Sequence, residues 1–170
     1  MKTPVTIAPE ALDFTRLIRS GETVGWAEAT AEPVFLTRLL HAQAERCPPF
    51  RLFFALTFSD AFAADHPNVT VTALGGASAG RRFFAGRGDN VIPANISDIS
   101  GLVSSGRLPI DLVLLQVSGP DATGRYNAGL GSGPAGRWPA RPGCASSGQF
   151  GRLRGHRLTY TIDRPAGISP

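Results

Sequence analysis

The chain holds 170 residues, 42% of them hydrophobic and 18% charged, a balance that supports one packed domain and argues against a disordered chain. No stretch approaches the roughly 18 uninterrupted apolar residues of a membrane helix. The start, Met1-Lys2-Thr3-Pro4, lacks a signal peptide's apolar run before Glu10 and Asp13, so the cytoplasm is the expected compartment.

Charge is unevenly spread. Residues 1–130 carry 11 Lys and Arg against 12 Asp and Glu, whereas residues 131–170 carry 6 Arg against Asp163 alone. The net +4 therefore belongs to the tail. No basic face interleaved with aromatics marks a nucleic-acid binder. Cys47 and Cys144 allow a single bridge, and Cys47 stands where a helix ends, so thiols are expected rather than a disulfide. His41, His66 and His156 stand far apart in the sequence without ligand spacing, and no metal is expected.

In chain order, Leu12, Phe14, Leu17 and Ile18 predict a helix over residues 9–20, ended by Ser20-Gly21. Residues 22–27 read as a short strand that passes into a loop. Pro33 opens a helix lined by Val34, Leu36, Leu39 and Leu40, which runs to Cys47 and stops at Pro48-Pro49. Residues 52–58 form an almost continuous apolar run, as in a strand buried on both faces. Residues 69–74 are the next strand, followed by an extended piece around Pro93 in residues 90–95. Ser97 or Asp98 caps a short helix through Ser105, and Gly106 closes it. Pro109 leads into the strongest strand, residues 110–117.

Strands alternating with helices predict an α/β fold with an open, mostly parallel sheet and helices on both faces. Ligands of such sheets gather beyond the carboxyl ends of the strands. Two ends stand out, the loop after Trp26 and the loop after Val117. Beyond Leu130 the chain turns rich in Gly, Pro, Ser and Arg without a period. It reads as a flexible tail or as a GC-rich gene translated in the wrong frame, with brief strand character at residues 158–162. The domain boundaries are set at 1–130 and 131–170.

Three segments resemble the N-terminal domain of the acetyl-CoA hydrolase/transferase family, of the acetate and 4-hydroxybutyrate CoA-transferase type. The first is Ile18-Arg19-Ser20-Gly21-Glu22-Thr23-Val24 with Gly25 and Ala31-Glu32-Pro33. The second is Val91-Ile92-Pro93-Ala94-Asn95-Ile96-Ser97-Asp98-Ile99, continuing to Gly106-Arg107-Leu108-Pro109-Ile110-Asp111. The third is Leu112-Val113-Leu114-Leu115-Gln116-Val117-Ser118-Gly119-Pro120-Asp121, then Gly124 and Ala128-Gly129-Leu130. The order and spacing of the last two are the specific part, and the likeness spans residues 10–130.

The resemblance implies a CoA-transferase-like half whose partner is a second CoA-transferase domain or subunit. It also implies an acyl-CoA and a small carboxylate as ligands, with coenzyme A a substrate and no further cofactor. A glutamate of the second domain attacks the thioester, and a glutamyl-CoA thioester then passes CoA to a carboxylate, or to water in hydrolysis. No glutamate here matches that nucleophile, so no catalytic residue is assigned, and the chain alone is expected to be inactive.

Gly25, Trp26, Ala27 and Pro33 are candidate walls of the acyl pocket, and Gln116, Val117 and Ser118 are candidates at the cleft. The plain structural alternatives are a strand-to-helix connection for the first group and a strand end with its turn for the second. Gly75-Gly76-Ala77-Ser78-Ala79-Gly80 fits neither phosphate-loop pattern, although Arg81 and Arg82 follow it. A binding module without chemistry is the competing function. A sugar-phosphate isomerase would need an acid/base pair that is not evident.

Overall fold

A computed structural model describes residues 5–7, 11–57, 60, 62, 66–74, 91–117, 122, 145–150 and 159–163. The strands are β1 (Val5–Ile7), β2 (Thr23–Trp26), β3 (Phe50–Phe54), β4 (Val69–Leu74), β5 (Val91–Ile92), β6 (Leu112–Val117), β7 (Ala145–Phe150) and β8 (Thr159–Asp163). They form one sheet in the order β1-β8-β7-β6-β2-β3-β4-β5. From β7 to β5 every neighbouring pair is parallel, while β8 runs antiparallel to both β7 and β1. This is the expected open, mostly parallel α/β sheet. Both β7 and β8 come from the compositionally distinct stretch 131–170.

The helices α1 (Phe14–Leu17), α2 (Val34–Gln43) and α3 (Ile99–Ser104) divide between the two faces. Alternate residues of a strand point to opposite sides, and the core splits accordingly. Val24, Trp26, Leu52, Phe54, Leu112 and Leu114 pack with Phe14, Leu36 and Leu40 of α1 and α2. Phe53 and Val113 face the other way, against Ile99 and Val103 of α3. Apolar runs in β3 and β6 thus reflect burial on both faces, each large side chain contributing about 1.5–3 kcal/mol.

Three elements differ from expectation. The helix over residues 9–20 contracts to α1 because the Gln43 side chain takes over the backbone before it. Its Oε1 accepts the Phe14 N–H at 2.7 Å and its Nε2 donates to the Leu12 carbonyl at 3.0 Å. Asp13 then caps α1 by accepting the Thr15 N–H at 3.0 Å. The strand over residues 52–58 ends at Phe54, where the chain bends and the Leu56 carbonyl accepts the Ala29 N–H at 2.8 Å. Before α3, Asn95 and Asp98 form a capping box around a 3-10 turn, so the cap precedes the helix itself. Gly106 closes α3 at φ +80°, the left-handed geometry glycine favours. No helix among the described residues is long and apolar enough to cross a membrane.

Candidate functional site

From β2 the chain moves outward through β3, β4 and β5, then returns to place β6 on the other flank of β2. The direction of winding changes between β2 and β6, which makes their carboxyl ends the switch point of the sheet. Register pairs Val24 with Leu112, Gly25 with Val113 and Trp26 with Leu114. The Ala27 N–H donates to the Leu114 carbonyl at 3.1 Å. At the opposite end, Asp111 accepts the Thr23 N–H at 2.8 Å and donates its own N–H to the Thr23 carbonyl at 2.9 Å. The two strand ends singled out in the sequence are therefore neighbours.

The candidates fall into different surroundings. Gly25 is buried within β2. Trp26 is a core residue, its ring stacked 5.2 Å from Phe54 and 6.0 Å from Phe62, yet its Nε1–H has no partner among the described residues. Ala27 packs into the opposite cluster beside Phe53. Pro33, also buried, precedes α2, and its carbonyl accepts the Thr37 N–H at 3.0 Å. Gln116 is exposed near the end of β6, and Val117 ends that strand. Ser118, the 75–80 glycine stretch, Arg81, Arg82, Cys144 and His156 lie outside the described residues.

Sequence reasoning gave Glu28 no role. It is 6% exposed, and neither carboxylate oxygen has a hydrogen-bond partner among the described residues. Burial pushes its carboxyl above the usual value of 4.5, because desolvation penalises the charged form. Ala29 follows at φ +54°, the one non-glycine residue with positive φ among those described. The legible signal was a carboxylate two residues past a strand end at a topologically favoured position.

Two histidines that are far apart in sequence meet in space. His66 Nε2 lies 2.8 Å from His41 Nδ1, and both rings pack edge-on against Phe62. Desolvation and the neighbouring His66 hold His41 below its usual value of 6.5, with Glu45 opposing. Among the described residues no group of three His, Cys, Asp or Glu could hold a metal ion. Cys47 is a buried free thiol, pushed up by desolvation.

A groove of about 780 Å³ opens at the amino ends of β2, β3 and β4, lined by Gly21, Glu45, Arg51, Asn68 and Thr70 among others. It lies at the end of the strands remote from the switch point. Open sheets bind ligands at the other end, so the paired strand ends by Glu28 are the stronger candidate.

No family model matches the chain, and no curated protein matches it. Among solved structures, RipA from Yersinia pestis is similar at TM-score 0.63 and 21% identity, over 77% of this chain and 33% of RipA. A mutant form of RipA is similar at TM-score 0.64 and 21% identity, over 77% of this chain and 32% of that one. A 4-hydroxybutyrate CoA-transferase from Porphyromonas gingivalis superposes more loosely, at TM-score 0.49 and 20% identity over 76% of this chain and 30% of that one. The chain spans about a third of the length of the structures it matches, and what it shares with RipA is the fold.

Proposed function

We propose that this chain is one α/β half of a CoA-transferase-type enzyme, handling an acyl-CoA thioester and a small carboxylate at the crevice between the ends of β2 and β6. The catalytic glutamate comes from a second domain or subunit. One observation carries the reading. The first and third segments that resemble the transferase family, far apart in sequence, are adjacent parallel strands whose carboxyl ends meet at the switch point. The fold likeness to RipA, at 21% identity, is compatible with it.

In such a reaction the glutamate attacks the thioester carbonyl and coenzyme A departs as thiolate, leaving an acyl-glutamyl anhydride. The thiolate then attacks the glutamyl carbonyl and releases the carboxylate. This half contributes ligand positioning and hydrogen-bond donors for the developing oxyanion. Transfer and hydrolysis differ only in whether a carboxylate or water completes the cycle.

Purified alone, the chain is expected to bind acetyl-CoA in a calorimetric titration yet exchange no CoA between acetyl-CoA and labelled acetate. Turnover by the isolated chain would overturn the assignment of the nucleophile to another domain. Absence of binding to either acetyl-CoA or CoA would overturn the choice of ligand.

A further inference from the structure

Trp26 and Glu28 present three buried polar atoms without hydrogen-bond partners among the described residues: the indole Nε1 and both carboxylate oxygens. Native structures leave few such groups unmatched, and each one asks for an explanation. These belong to residues two apart at the carboxyl end of β2. Glu28 keeps extended backbone, at φ −96° and ψ 166°, and the intervening Ala27 packs into the opposite core cluster. Period-two alternation therefore sets Trp26 and Glu28 on the same side of the chain. Both lie at the switch point, where this class of sheet takes its ligands.

We propose that the indole N–H of Trp26 and the carboxyl of Glu28 together receive the acyl oxygen of the substrate, the carbonyl of a thioester or one oxygen of the product carboxylate. The inference rests on the function proposed above and names the residues that recognise the acyl group. An indole is a donor only, so a purely cationic ligand leaves it unmatched. A carboxyl closed off from water, with no donor beside it among the described residues, is pushed by desolvation toward its neutral form. It then offers one O–H. Two donors without a competing cation among the described residues suit an acceptor oxygen. Coenzyme A itself lacks that oxygen, whereas its acyl thioester carries it.

The test uses the full chain, 15N-labelled, with the Trp26 indole signal assigned through Trp26→Phe. Acetyl-CoA is expected to bind about tenfold more tightly than CoA and to move the indole signal, while CoA leaves it in place. Glu28→Leu is expected to reduce the preference to below about twofold. Glu28→Gln, which retains a neutral donor, is expected to keep it.

Thermal unfolding separates recognition from support. Removing a buried carboxyl that has no partner among the described residues leaves the Glu28→Leu protein at least as stable as the parent, and a lower melting temperature would overturn the proposal in favour of a structural role. An undiminished preference in Glu28→Leu overturns it too, with the proposed function left standing. Should the parent bind neither CoA nor acetyl-CoA, the functional reading falls and sodium acetate becomes the probe. An indole shift with acetate in the parent but not in Glu28→Leu sustains the two-donor site for carboxylates, and no shift overturns it.

Discussion

Gln43 sits in the last turn of α2 and closes a gap left by a distant segment, donating to the Leu12 carbonyl and accepting from the Phe14 N–H. Both bonds are buried, so its loss leaves two backbone groups unmatched at once. Gln43→Ala is expected to cost about 2–3 kcal/mol in denaturant unfolding, well above the usual ~1 kcal/mol for one hydrogen bond. Glu28 makes the opposite case, a buried polar side chain that nothing in the described structure satisfies. Only the placement of a distant partner distinguishes the two, and no local rule supplies it.

At the scale of elements, β2 and β6 are joined at both ends, by Asp111 with Thr23 and by Ala27 with Leu114. The Asp111 of the Arg-x-Pro-x-Asp run thus acquires a structural task, receiving the first N–H of β2. Asp111→Ala is expected to cost about 1.5–3 kcal/mol, the range for a hydrogen bond to a charged acceptor, measured by denaturant unfolding. Asp111→Asn, whose amide oxygen still accepts, is expected to lose less than half of that. Strand positions were largely legible, since the apolar, β-branched stretches 69–74 and 110–117 contain β4 and β6. The helix over residues 9–20 was overlong because apolar spacing registers a helix face, while Gln43 and the Asp13 cap set where the helix begins.

For the molecule as a whole, pH is the readout that gathers the described ionisable groups that desolvation shifts. His41 is held below 6.5 in the folded chain, so between the two values the unfolded chain binds more protons. Its contribution is complete above pH 6.5 and is lost as pH falls through the folded value. Cys47 is held above 9.0, so its contribution is complete below that pH and is lost as pH rises through the folded value. Glu28, raised from 4.5, loses its contribution as pH rises from there, and so opposes the His41 slope. The melting temperature is expected to be highest between pH 6.5 and 9.0. His41→Asn, which still hydrogen-bonds but cannot ionise, should move the acid limb to lower pH. An unchanged acid limb would remove His41 from this account.

By itself the sequence determined the class of the sheet, the places of its main strands and the two strand ends where a ligand is expected. Periodicity and turn residues are local properties, and they suffice for that. Only the tertiary structure decided that Trp26 is packed core, that His41 faces His66, and that Glu28 is enclosed without a partner among the described residues. Each depends on which strands become neighbours, and strand pairing joins residues that no window along the chain contains together.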